Sequence, residues 1–243
     1  MSTHPGDHDG PRHWSPSAIT PARLLRGRFT GLTIVLLVLS FSANVIGPRE
    51  ARELVVGLAF SVLVLFAIWS VGRRLRVTTL AFALPTLIGH WTFVLNPSLS
   101  LRAVGFAITS GFLTFLTLVV LLAVFRDETV TADTIVGAVC AYFMLGMTWG
   151  TYYALLALVS PDAFSVSTAL VSANGGAAPR APFTPLMQYY SFTTLATLGY
   201  GDISPVTAMA RGLSVMEGVG GQLYLAVLIA RLVGMHTARS RKE

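Results

Sequence analysis

From Ala103 to Phe125 the chain reads AVGFAITSGFLTFLTLVVLLAVF, without one charged residue between Arg102 and Arg126. An apolar run of about 20 residues crosses the hydrocarbon core of a bilayer as a helix, because backbone polar groups in lipid must pair within their own segment. Six segments read this way: Gly31 to Ile46, Leu54 to Val71, Thr78 to Leu95, Ala103 to Phe125, Thr134 to Leu158, and Thr207 to Val233. Only 12% of the residues are charged, against about a quarter in a soluble domain. The expected fold class is therefore an all-α transmembrane protein with six helices per chain, and not an enzyme.

The formal net charge of +6 does not point to a nucleic-acid partner, because the basic residues punctuate the apolar segments rather than forming a stripe. Orientation explains them better. Basic residues near span ends stay in the cytoplasm. With the N-terminus inside, twelve of the 17 lysines and arginines fall on that side, leaving Arg49, Arg52, Arg102, Arg180 and Arg211 outside. Both termini are expected in the cytoplasm, as a tail over 1–30 and another over 236–243. The first thirty residues hold no apolar run that would serve as a cleaved signal peptide. The second tail is expected to be too short for a cytoplasmic nucleotide- or calcium-binding domain. Cys140, the only cysteine, allows neither an intrachain disulfide nor a thiolate metal site and reads as a small buried hydrophobe.

This topology puts the link from Ser160 to Thr207 outside. Its first part, SPDAFSVSTALVSANGGAAPRAP, has the composition of an exposed loop, expected over 159–184. Then FTPLMQYYSFTTLA turns apolar and aromatic for about three turns, too short to span. It reads as a re-entrant helix over 185–197, allowed at membrane depth only where protein or a water-filled cavity surrounds it. A helix stopping there leaves its last carbonyls unpaired, and that negative dipole end favours a cation. The next residues, Thr197, Leu198, Gly199, Tyr200 and Gly201, are expected as extended backbone, tolerable at depth only if their carbonyls find another partner, such as a dehydrated cation. Gly199 and Gly201 permit the torsions that point successive carbonyls one way.

Thr197 to Asp202, TLGYGD, resembles the selectivity filter of tetrameric potassium channels, with Leu198 where valine or isoleucine is more usual. The likeness extends through YYSFTT, Tyr189 to Thr194, and covers about Thr134 to Val233. The resemblance implies a pore domain over 126–235: outer helix 134–158, pore helix 185–197, filter 197–202 and inner helix 207–233. It implies K+ as the permeant ion, held by the carbonyls of Thr197, Leu198, Gly199 and Tyr200 and the Thr197 hydroxyl, with no organic cofactor. Gly201 and Asp202 would face the outer mouth, and the Tyr200 ring would brace the filter wall. Tyr189 and Tyr190 stand where tandem tryptophans are common, and Thr193 where some relatives carry an acid; with Thr194 they would support the filter. One filter copy per chain implies a homotetramer in membrane lipid.

In the sixth span, a mid-helix glycine acts in such channels as a gating hinge. Gly220 or Gly221 matches by distance, and close packing is the alternative. Glu217 is polar at depth. It either supports the base of the pore helix through Thr or Tyr hydroxyls or is paired locally. A voltage sensor needs several arginines at every third position, whereas the fourth span has Arg102 and Arg126 at its ends only. Residues 31–125 are therefore expected to form a four-helix domain without sensor arginines, with His90 and Trp91 near the outer interface. The function expected is passive, potassium-selective conduction in a bacterial inner membrane, not gated by voltage in the usual way, with a separate regulatory subunit possible. The alternative is a non-conducting, channel-like assembly subunit.

Overall fold

In the computed structural model, residues 29–45, 57–58, 60–65, 76–95, 99–126, 131–173 and 184–240 are described. The expected N-terminal tail up to residue 28, the ends of the second span, the connections at 72–75 and 127–130, the glycine-rich stretch 174–183 and residues 241–243 lie outside them, as does the side chain of His90.

The elements run α1 (Thr30–Val45), helical residues at 57–58 and 60–65, α2 (Arg76–Leu95), α3 (Leu99–Arg126) and α4 (Ala132–Val159). A 3-10 turn (Pro161–Ala163), β1 (Phe164–Val166), α5 (Thr168–Ala173), α6 (Thr184–Leu195), β2 (Ile203–Pro205) and α7 (Ala208–Ser240) follow. Among the described residues three helices are long and apolar enough to cross a membrane: Ala103–Arg126, Asp133–Val159 and Ala208–Gly234. These match the fourth, fifth and sixth expected spans. The first is represented by the 16 residues of α1, and within the third the apolar stretch is Thr79–Gly89. Among the described residues the regular structure is helical apart from a two-stranded antiparallel ribbon of β1 and β2.

Helix α4 is the hub, packing against α1, α3, α6 and α7. Its start is fixed by a capping box, in which Thr131 Oγ1 accepts from Thr134 N–H at 3.2 Å. Asp133 in its first turn complements the positive helix end and accepts from Phe29 N–H at 3.4 Å, drawing the start of α1 alongside. Leu32 and Leu36 of α1, Leu63, Phe112 and Leu116 of α3, and Ala141 and Met144 of α4 form the main apolar cluster. Cys140 is buried within it.

The α3–α4 seam also carries hydroxyls. Ser110 pairs with Thr151 at 3.1 Å, Thr114 with Tyr152 at 2.8 Å and Thr117 with Thr148 at 3.0 Å. The spacing of four and three residues puts Ser110, Thr114 and Thr117 on one face of α3. Farther along, Arg231 of α7 donates to the Val124 carbonyl and lies over the Phe125 ring. Helix α7 continues to Ser240, so most of what was expected as a tail over 236–243 is helical.

Candidate functional site

Twelve residues of α6 rise only about 18 Å, too little to cross a bilayer. They are seated by glycines on both neighbours. A Cβ at Gly146 of α4 would stand 2.4 Å from the Phe192 ring, and one at Gly150 would stand 2.5 Å from Gln188 Cδ. The two glycines and the two side chains are each four residues apart, so one face of α6 lies along a groove in α4. Gln188 Nε2 donates to the Met147 carbonyl at 3.1 Å. On the other side, a Cβ at Gly221 of α7 would stand 2.6 Å from Leu195 Cδ1, whereas one at Gly220 would meet nothing within 4 Å. Gly221 thus packs against the end of α6, and α7 runs unbroken through both positions.

Helix α6 ends at Leu195, two residues short of the expected boundary at 197. The physical reason is Thr197, whose φ of +58° lies in the left-handed region. Gly199 (φ +53°) and Gly201 (φ +76°) share that handedness, and among the described residues no others have positive φ. The sign alternates residue by residue from 197 to 201. A built Cβ on either glycine meets nothing within 4 Å, so torsion rather than crowding calls for glycine. Thr197, being β-branched, pays a steric penalty that glycine would not. The Leu198 and Gly199 N–H groups both donate to the Thr193 carbonyl, at 2.8 and 3.2 Å. Across a trans peptide the carbonyl points opposite to the following N–H, and no cis bond is present among the described residues. The Thr197 and Leu198 carbonyls therefore both face away from Thr193. Leu198 and Tyr200 are exposed in the single chain.

The far end of this segment is tethered. Tyr189 of α6 donates its hydroxyl proton to Asp202 Oδ2 at 2.6 Å, and Ile203 N–H donates to Asp202 Oδ1 at 3.0 Å. Burial, then the hydrogen bond and charge of Asp202, push the Tyr189 phenol up to about 12. The Tyr189 and Tyr200 rings stack at 6.5 Å and 8°. The ribbon pairs Phe164 with Pro205, Ser165 with Ser204 and Val166 with Ile203, while Ser167 N–H donates to the Asp202 carbonyl at 2.8 Å. The sequence reading expected all of 159–184 as loop. The Ser- and Ala-rich composition hid a three-residue strand whose partner lies 37 residues on, by the Val166–Ile203 pairing.

The remaining expected residues divide between the tether and the helix seats. Tyr190 shares a hydrogen bond with Ser214 of α7 at 2.6 Å, Thr193 Oγ1 donates to the Tyr190 carbonyl at 2.9 Å, and the Thr194 carbonyl accepts from Thr197 N–H at 3.0 Å. Glu217 of α7 is fully buried. Its Oε2 accepts from the Tyr153 hydroxyl of α4 at 2.6 Å, and its Oε1 stands 2.5 Å from Ser191 Oγ of α6. The tyrosine thus comes from α4, and the α6 hydroxyl is a serine. Sequence reasoning missed Ser191, Tyr153, Gly146 and Gly150. The spacing GMTWG is the small-xxx-small signal that marks the last two.

Residues 183–237, which include α6, the alternating segment and most of α7, match the model of a family described as "Ion channel". No curated protein and no solved structure matches the chain. The matched stretch is similar to ion channels. With three membrane-length helices, that likeness supports a multi-pass membrane protein of the channel class, which is not a catalytic one, with an inorganic ion as the expected cargo.

Proposed function

We propose that this chain is one subunit of a homotetrameric, potassium-selective channel that conducts K+ passively, with residues 197–201 as its filter. The observation that carries the reading is the aim of two successive N–H groups at the Thr193 carbonyl, which turns the Thr197 and Leu198 carbonyls together toward the open side. The alternating φ at 197, 199 and 201 supports continuation of that row through Gly199 and Tyr200, with the Thr197 hydroxyl as a further ligand. Such a row replaces the hydration shell of a bare cation. Asp202 stands at the outer mouth, with α4 as outer, α6 as pore and α7 as inner helix.

One strand rings only part of an ion, so four copies are required. Helix α7 supports this: only 17% of its apolar window is buried in the chain, against 61% for α4. Val215, Val219 and Leu223 are all more than half exposed and suit neighbouring subunits and lipid. The basic residues favour cytoplasmic termini in an inner membrane. The uncharged interior of α3 supports gating by something other than transmembrane voltage. Purified chain in liposomes should pass K+ down its gradient and be blocked by barium. Intact tetramers that pass no K+ would favour the non-conducting, channel-like subunit instead.

A further inference from the structure

Where three helices meet, the hydrogen atoms can be counted. Tyr153 Oη stands 2.6 Å from Glu217 Oε2, Glu217 Oε1 stands 2.5 Å from Ser191 Oγ, and Ser191 Oγ stands 2.8 Å from the Gly146 carbonyl oxygen. Each of these three oxygen–oxygen contacts is at hydrogen-bond length and needs one hydrogen between its atoms. Two hydroxyls bring two hydrogens, and a carbonyl brings none. If Ser191 gives its hydrogen to Glu217, two bare oxygens face each other across the 2.8 Å gap to Gly146. If Ser191 gives it to Gly146, the 2.5 Å contact lacks a hydrogen unless the carboxyl supplies it.

We infer that Glu217 is a neutral carboxylic acid whose own proton completes a hydrogen-bonded chain from Tyr153 through Ser191 to Gly146, making it the positioning residue that fastens α6 to α4 and α7 together. Solvation points the same way. Glu217 and Ser191 are fully buried, as is Tyr153, and the hydrogen-bond partners of Glu217 are both neutral hydroxyls. Among the described residues, a carboxylate in such a place has no counter-charge within hydrogen-bond reach. The acid form uses one oxygen as acceptor toward α4 and the other as donor toward α6, which an ionised carboxylate cannot do.

The inference concerns how α6 is held, and it rests on the channel reading only for its flux measurement. The side-chain amide of Glu217→Gln can repeat the chain, accepting from Tyr153 and donating to Ser191, whereas Glu217→Ala leaves both hydroxyls without it. With full-length protein in detergent, the infrared difference spectrum of wild type minus Glu217→Gln is expected to show the carbonyl stretch of a protonated carboxyl. Glu217→Gln should keep the wild-type thermal midpoint and K+ flux, while Glu217→Ala, which removes both contacts, should lower the midpoint and cut flux about tenfold or more. A carboxylate band in place of the protonated one, or a glutamine variant as impaired as the alanine variant, would overturn the inference. The spectrum and the glutamine midpoint decide the matter even if the alanine variant fails to fold or wild type passes no ion.

Discussion

The Tyr189 hydroxyl reaches Asp202 at 2.6 Å, tying the far end of the extended segment back to the middle of α6. Asp202 also accepts from Ile203 N–H, so its carboxylate acts as a clamp as well as a charge at the proposed mouth. If the clamp dominates, Asp202→Asn and Tyr189→Phe should each shorten channel openings at every ionic strength. The double variant should be hardly worse than Tyr189→Phe alone, because phenylalanine deletes the bond from which asparagine removes only the charge assistance, a charged bond being worth about 1.5–3 kcal/mol. Single-channel recordings across a range of KCl concentrations check this. A defect confined to low salt would assign Asp202 to charge alone.

The same pair gives a pH dependence. A free tyrosine titrates near pH 10, and here burial, then Asp202, hold Tyr189 up at about 12. The raised value means that the contribution is intact below pH ~10 and is lost as pH climbs through ~12. In a phenolate absorbance titration, the component missing from Tyr189→Phe should ionise near the upper value. Asp202→Asn should move it downward without returning it to the free value, since burial is the larger cause.

Gly199 has φ of +53° with open space around its built Cβ. Alanine there meets a torsional penalty of about 1 kcal/mol or more and no clash within the chain, so the backbone should swing out of alternation. K+ over Na+ selectivity, read from reversal potentials, should collapse or conduction should cease. Leu198→Val, at a residue outside the positive-φ set, should remain selective. Unchanged selectivity in Gly199→Ala would place the filter elsewhere.

Gly146→Ala should dislodge Phe192 and destabilise the α4–α6 contact by about 1–3 kcal/mol, the usual cost of overpacking. Gly111→Ala on α3 makes the control, because nothing lies within 4 Å of its built Cβ. Thermal unfolding in detergent should show a loss for the first and none for the second. Adding Phe192→Leu to Gly146→Ala should recover part of the loss.

The three longest apolar helices could be read from the sequence because transfer into lipid depends on local composition and length. The short α6 was legible for the same reason: a largely apolar and aromatic stretch of about three turns cannot span, and Pro185 marks its start. The glycine torsions at 199 and 201 followed from chemistry that only glycine permits cheaply. Thr197 was not legible as a left-handed residue, because a β-branched side chain argues against that torsion and only the surrounding contacts impose it. Nor were Ser191 and Tyr153 beside Glu217. Each is an ordinary residue on its own helix, and their meeting with the carboxyl is a property of three packed helices. The β1–β2 ribbon was hidden because three residues carry too little periodicity to announce a strand.

Ser110 Oγ of α3 and Thr151 Oγ1 of α4 lie 3.1 Å apart in one chain, so cysteines at these two positions would bring their sulfurs close to one another. Five residues, 127–131, connect the two helices and reach at most about 20 Å, which favours packing of α3 on the α4 of its own chain. In a tetramer, the helices before α4 would then stay with their own subunit. The doubly substituted Ser110→Cys, Thr151→Cys protein, with Cys140→Ala to remove the native thiol, should form an oxidant-dependent, reductant-reversible link inside a single chain. On denaturing gels it should run as a shifted monomer, and a ladder of covalent dimers to tetramers would show instead that α3 packs against a neighbouring subunit.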